Sequence, residues 1–202
     1  MTKYLSLILA SGVAIAGSQA FAQTRTFTVG DGGGKVTQSV VVESVAQFEN
    51  FTGKTSKVTG TLKIDPAKKT GSGKVVIDLA SIDTGIALRN EHMRSEMWLD
   101  TAKYPQAVFE ATSVKHKRGD VYTVTGKLTF HGVTRAMTTE VTGQYVEASE
   151  QTRKAGFRGD VVRLRGAFDL KLADYGVKIP ERTRGKVAET VKLSFDIYGY
   201  TG

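Results

Sequence analysis

Apolar and polar side chains alternate with a two-residue period over most of the chain. Across residues 57–64, Val58, Gly60, Leu62 and Ile64 fall on one side and Lys57, Thr59, Thr61 and Lys63 on the other. Successive side chains of an extended strand point to opposite faces, so this stretch predicts a strand with one dry face. The rhythm returns at 73–79, 107–115, 121–130, 136–146, 161–172 and 191–197. There, Gly126, Leu128 and Phe130 share a face, as do Met137, Thr139, Val141, Gly143 and Tyr145, and Val191, Leu193, Phe195 and Ile197. Upstream, residues 24–65 are rich in Val, Thr and Phe, with turn material at 30–34 and 50–54, and predict further short strands. Seven or eight strands result.

The connections are equally readable. Asp65-Pro66 through Thr70-Gly71 is a turn, because Pro withholds a ladder donor and Gly relieves the backbone. Residues 81–103 break the rhythm, with Ile86, Arg89, Asn90, Met93 and Met97 near three- and four-residue spacing, and predict one or two short helices ended by Pro105. Lys117 to Asp120 makes a hairpin turn, His131 to Thr134 a bend, residues 147–155 a polar loop and Asp174-Tyr175-Gly176 a turn whose Tyr caps the core. The charged stretch 179–186 is expected as a surface hairpin, the alternative being a basic rim presented to an anionic headgroup. No linker or internal repeat divides residues 23–202, so they form one domain. An antiparallel sheet of this size hides its edges by closing on itself, which favours an up-and-down barrel over an open sheet; a two-layer sandwich has the same alternation. A barrel of about eight strands either packs solid or holds one small ligand.

Residues 1–22 read as a secretory signal, with Lys3, an apolar run from Leu5 to Ala16, and Ala20 and Ala22 around the cleavage point. The run is well short of the roughly 20 residues that span a bilayer. Export to the periplasm, or outside the cell in a host with no outer membrane, is expected, with Gln23 as the new N-terminus. Loss of Lys3 lowers the formal charge by one from +8. The remaining excess of cations is spread along the chain, which favours acidic surfaces such as anionic lipid headgroups without a nucleic-acid footprint.

With no Cys, thiol catalysis, Cys-ligated zinc, iron–sulfur clusters and disulfides are excluded. His92, His116 and His131 have no metal-site spacing and are expected as surface or hydrogen-bonding residues, and no Gly-x-Ser-x-Gly elbow is present. Gly30, Gly32, Gly33 and Gly34 lack the phosphate-loop and dinucleotide signatures and read as turn residues. No catalytic residue, metal or cofactor is assigned. The concentrated polar set is Arg89, Asn90, Glu91, His92, Arg94 and Ser95. Its plain role is to cap helices and fasten the helical segment to the barrel. Its sharper role puts Arg89, His92 or Arg94 at a cavity mouth, where a cation or imidazole meets a quinone carbonyl or a phosphate and a prenyl tail enters the barrel.

The run SIDTGIALRNEHMRSEMWLDTAKYPQAVFEATSV, residues 81–114, and YTVTGKLTFHGVTRAMTTEV, residues 122–141, closely resemble the two characteristic stretches of the YceI-like family of polyisoprenoid-binding periplasmic proteins. The family-like landmarks include Ser81, Asp83, Thr84, Arg89, His92 and Arg94, then Phe109, Gly126, Leu128 and Gly132. The stretch VVVESVAQFENF, residues 40–51, departs from the histidine-containing pattern usual there. The resemblance implies an all-β, extended antiparallel lipocalin-like β-barrel of about eight strands with a short helical insertion. It also implies an apolar channel for a long-chain isoprenoid lipid or quinone-like ligand, with Arg89, His92, Arg94, Phe109, Leu128 and Phe130 as candidate contacts. The expected function is noncatalytic binding, storage or transport of that lipid. An inner-membrane or envelope protein partner and transient membrane contact accompany this expectation, and nucleic acid does not. The alternatives are a structural or partner-binding envelope protein and, less favoured, a hydrolase or isomerase of a small hydrophobic substrate.

Overall fold

A computed structural model describes residues 23–32 and 36–202; the expected leader, together with Gly33 and Gly34, lies outside them. The strands are β1 (Arg25–Val29), β2 (Ser39–Val45), β3 (Asn50–Thr55), β4 (Val58–Asp65), β5 (Thr70–Asp78), β6 (Gln106–Arg118), β7 (Val121–Phe130), β8 (Val133–Val146), β9 (Val161–Lys171) and β10 (Thr190–Tyr200). Helix α1 (Ala87–Arg94) lies between β5 and β6, and α2 (Glu150–Lys154) between β8 and β9. From β4 to β10 each strand pairs antiparallel with the next, and β1 pairs with both β4 and β10, closing a ring of eight strands. The expected barrel is present, with the β2–β3 hairpin as an addition.

The seam of that ring runs along one side of β10. Its opposite side pairs with β9 over the full length from Thr190 to Tyr200. On the seam side, β2 takes Lys192 to Asp196 and β1 takes Gly199 and Tyr200. Between them the backbone of Tyr198 needs partners. Gln38, only 1% exposed, supplies them. Its Oε1 accepts from Tyr198 N–H at 2.8 Å, and its Nε2 donates to Tyr198 O at 3.1 Å and to Gly30 O at 2.5 Å. One side-chain amide thus stands in for a residue of the ladder where two strands share an edge. At one end of the barrel, Arg25 donates to Tyr145 OH at 2.5 Å and pairs with Asp160, which accepts from Ala148 N–H at 2.8 Å. At the other, Ala188 N–H donates to buried Ser44 Oγ at 3.0 Å, tying β2 to the segment before β10.

The core is in two parts. Leu79, Ile82, Leu128, Phe130, Leu172 and Val177 belong to a cluster beneath the β5–β6 and β9–β10 connections. Phe27, Val29, Val40, Val58, Leu62 and Ile197 belong to a second cluster along the seam. The expected turn at His131 and Gly132 is tighter than a four-residue bend. Both have positive φ, 50° and 76°, as a two-residue hairpin turn of the twist-matching kind requires, so Val133 and Thr134 already belong to β8. The helical segment is shorter than expected: one 3-10 turn (Leu79–Ser81) and α1. The loop expected at 147–155 holds α2, nucleated by a capping box between Ser149 and Thr152. Among the described residues no helix is long and apolar enough to cross a membrane.

Replacing Gln38 by Leu keeps the volume and removes both partners of Tyr198 together with that of Gly30. Chemical denaturation is expected to show a loss of about 2–3 kcal/mol, as for a buried backbone group left unsatisfied.

Candidate functional site

Between the two core clusters the barrel is hollow. A cavity of about 750 Å³ runs from the β2–β3 turn and α1 to the β4–β5 and β6–β7 turns. Its volume lies in the range typical of small-molecule sites, roughly 300–1,000 Å³. Inward positions of the alternating strands line it: Val42 on β2, Val75 on β5, Val124 on β7, Met137 and Val141 on β8, and Leu193 on β10. The faces aligned from the sequence on β8 and β10 all reach this wall, including Thr139, Gly143 and Tyr145.

A ring of eight strands carrying Phe, Leu and Tyr inward has enough bulk to fill itself, and glycines on neighbouring strands keep it open. A Cβ on Gly126 would lie 2.6 Å from the Phe109 ring and 2.4 Å from Glu110 O. A Cβ on Gly166 would lie 2.6 Å from the Phe195 ring, and one on Gly73 would lie 2.7 Å from Leu62 Cδ2. Each bulky side chain therefore lies flat in the recess of a glycine. Gly166 faces Phe195, and Gly73 faces Leu62, in direct cross-strand register. The alternation places Gly126 on one face with Leu128 and Phe130, and the signal for its use is a glycine directly or diagonally opposite a large apolar residue.

Charged side chains lie at both ends of the cavity: Asp65, Lys69 and Asp120 at the β4–β5 and β6–β7 turns, and Glu49, Arg89 and His92 at the end under α1. Arg89 on α1 forms an ion pair with Glu49 of the β2–β3 turn, and its guanidinium lies 4.5 Å from the Phe51 ring centre. Glu49, Phe51, Arg89 and the exposed His92 all line this end. Of the six residues named from the sequence, Arg89, His92, Phe109, Leu128 and Phe130 line the cavity. Arg94 does not. It faces the chain before α1, with Nη2 3.5 Å from Ile82 O and its buried Nε unpartnered. Sequence reasoning missed Glu49 and Phe51, which sit in the stretch that departs from the family pattern. The fastening role expected of the polar set falls chiefly to Asn90, 9% exposed. Its Oδ1 accepts from Thr84 N–H at 2.9 Å and Oγ1 at 2.7 Å, and its Nδ2 donates to Asp83 Oδ1 at 2.6 Å. Asp83 in turn exchanges backbone hydrogen bonds of 2.8 and 2.9 Å with Lys54, covering the outer edge of β3.

Elsewhere, His116 Nε2 lies 2.8 Å from Gly119 O, and His131 Nδ1 lies 3.1 Å from Tyr175 O. Among the described residues no three His, Asp or Glu side chains are grouped to hold a metal ion. The 179–186 stretch is a turn with a short 3-10 helix (Glu181–Thr183) in place of a strand hairpin, and Thr183 and Lys186 reach the cavity rim.

A closed antiparallel barrel with an apolar lumen and charged ends belongs to the class of hollow β-barrels with room for one small ligand. The YceI-like domain model matches residues 34–198, and the chain belongs to the YceI-like family. A UPF0312 protein of Yersinia pestis is 51% identical over 127 residues, covering 62% of this chain and 60% of the relative. The protein YceI of Escherichia coli O157:H7 is 38% identical over 128 residues with the same coverage. The chain thus spans about 60% of the length of these curated relatives. Among solved structures, Burkholderia cenocepacia BcnA is 28% identical, with a TM-score of 0.67 over 80% of this chain and 95% of its own. A polyisoprenoid binding domain from Saccharophagus degradans, 19% identical, has the same fold, with a TM-score of 0.64 over 89% of this chain and 100% of its own.

Gly166→Ala is expected to cost about 1–3 kcal/mol by overpacking. Adding Phe195→Leu should return part of that loss in a double-mutant cycle, because the displaced ring is the main obstacle. Acid acts on the cover. The Gly85 N–H, then the Asn90 amide, hold the Asp83 carboxyl below the ordinary value of 3.8. A depressed folded-state value means a contribution that is complete above the ordinary value and lost as pH falls through the depressed one. Amide protection in α1, corrected for intrinsic exchange, should therefore drop on acidification, and Asp83→Ala should remove that dependence.

Proposed function

We propose that the protein binds one isoprenoid lipid or isoprenoid quinone, and stores or carries it unchanged in the periplasm after removal of residues 1–22. The prenyl chain occupies the lumen, and the head lies by Glu49, Arg89 and His92. The observation that carries this proposal is the cavity of about 750 Å³, continuous through the barrel, apolar along its length and bounded by charged side chains at its ends. The shared fold with the polyisoprenoid binding domain from Saccharophagus degradans supports it. Moving roughly 300 Å² of prenyl surface out of water supplies about 7 kcal/mol at 25 cal/mol per Å², before the cost of association. Arg89 and His92 offer N–H donors to a carbonyl or phosphoryl oxygen, and Glu49 an acceptor for a hydroxyl. Such head contacts set orientation more than affinity. Cargo exchange then takes place at an envelope membrane or with a protein partner there.

The test is mass spectrometry of lipid extracted from the exported, purified protein, with titration of the delipidated protein by a prenyl quinone and a prenyl phosphate. Saturable binding of one molecule per chain, recovery of the lipid with unchanged mass, and Gln23 as the N-terminus are expected. Ala111, midway along the wall, is the place for a plug: Ala111→Trp should weaken binding by about tenfold or more. Repeated absence of lipid in the extract, with no saturable uptake of either probe, would overturn the proposal.

A further inference from the structure

Large apolar side chains are exposed unevenly. Val45, Phe48, Ile86, Leu88 and Met97 are each at least 50% exposed, and all belong to the β2–β3 hairpin or the β5–β6 connection at the α1 end of the cavity. The two other exposed apolar residues of this size among those described, Tyr145 and Val146, lie at the end of β8, by the opposite end. Exposed apolar side chains gathered in one place mark a contact surface, whereas scattered ones need no explanation.

The gathering is physical as well as topological. Phe48 lies over Gly185, where a Cβ would stand 2.8 Å from its ring, and its N–H donates to Gly185 O at 2.8 Å. Met97 Sδ accepts from Arg182 Nη2 at 3.1 Å. Ile86 and Leu88 line the cavity and are exposed outside it, so wall and rim are one continuous apolar surface.

Cations are interleaved with this rim. Residues 178–186 carry Lys178, Arg182, Arg184 and Lys186 against the single acid Glu181. The side chains of Arg182, Arg184 and Lys186 are exposed, and only Arg184 is engaged by Glu181, at 3.0 Å. An apolar patch edged by unneutralised Lys and Arg is complementary to a bilayer with anionic headgroups: the apolar groups enter the acyl boundary while the cations stay at the phosphates. A folded protein partner would need matching acids and a shaped surface, and the five apolar side chains, protruding separately from a turn and a helix, call for neither.

We propose that the cavity-mouth end of the barrel, centred on Phe48 and Leu88 and edged by Arg182 and Lys186, docks on the surface of an anionic lipid bilayer. Docking there sets the mouth against the membrane, so a lipid passes between bilayer and lumen without crossing water. The proposal goes beyond cargo binding, and it is measured with the cargo-free protein.

The experiment is co-sedimentation of the chain lacking residues 1–22 with vesicles of phosphatidylethanolamine and phosphatidylglycerol, and with vesicles of phosphatidylcholine alone, at low and high salt. Binding to the anionic vesicles, weakened by salt and absent from phosphatidylcholine, is expected. The exposed pair Phe48→Ser/Leu88→Ser and, separately, Arg182→Glu/Lys186→Glu should each reduce it by about tenfold or more. Val146→Ser/Arg118→Glu, at the opposite end, should not. The charge pair alters solvated side chains only, so it remains informative if the serine pair fails to fold by circular dichroism. No binding to anionic vesicles at low salt, or equal binding by the mouth-end and opposite-end variants, would overturn the proposal. So would a dimer in sedimentation velocity that the mouth-end variants abolish while vesicle binding is lacking, since the patch would then serve a second copy of this chain. Arg182 lies outside the cavity wall, so weakened docking by Arg182→Glu alone, with lipid uptake from detergent retained, separates this result from the cargo proposal.

Discussion

Closing an antiparallel sheet on itself is the constraint from which the other features follow. An open edge of this length would present a row of unpaired backbone groups, and a closed ring has none. Here the last strand must accept two different strands, β1 and β2, along one side. The gap between them is filled by the amide of Gln38, which pairs with both backbone groups of Tyr198. A buried amide with both its oxygen and its nitrogen engaged carries little desolvation penalty, and it fixes the two strands at one separation. Because the β2–β3 hairpin extends the wall from the β10 edge, with Lys54 of β3 paired to Asp83 ahead of α1, the β2–β3 turn is available to meet α1. The entrance to the lumen is made where those two meet.

Hollowness has its own requirements. Protein interiors are ordinarily packed as densely as organic crystals, and an empty lumen forgoes the dispersion contacts its walls would otherwise make. Residues of both buried clusters, Leu128 and Leu172 under the cover and Leu62 and Ile197 along the seam, are themselves part of the lumen wall and supply its packing contacts. Within, Phe109 and Phe195 lie flat because Gly126 and Gly166 give them recesses. A larger residue at either glycine would push an aromatic ring across the axis. The same glycines that weaken a strand by lacking a side chain to pack keep the interior unoccupied.

Much of this fold was legible in the chain because its signals are periodic and local. The inward set Val191, Leu193, Phe195 and Ile197 follows from alternation alone, and all four line the cavity. So do Leu128 and Phe130, from the same rule. Whether the lumen is full or empty was not legible, because that depends on which residue of the next strand lies beside each bulky one, a property of register. Glu49 and Phe51 stayed hidden for the same reason: they meet Arg89 forty residues away only after β3 has been brought under the cover. Arg94 misled in the opposite direction. Five residues along α1 from Arg89 it lies well round the helix, and it faces the chain before the helix instead of the lumen. The capping box of α2 was readable but short, and polar composition outweighed it.

The entrance joins two kinds of interaction of very different strength. Asn90 fastens the start of the cover through three hydrogen bonds from a buried side chain, to partners that the fold holds rigidly. The Glu49–Arg89 pair that spans the mouth is partly exposed, at 38% and 23% of the side chains. Pairs in contact with water contribute little net stability, since hydration replaces most of what separation loses. The cover is therefore anchored at its root and only lightly latched across the opening. On the proposed function, a head passing between Glu49 and Arg89 would displace the pair at small cost and give each partner a new group to meet. Opening needs no unfolding of α1: a change of rotamer at two long side chains widens the mouth while Asn90 keeps the helix in place.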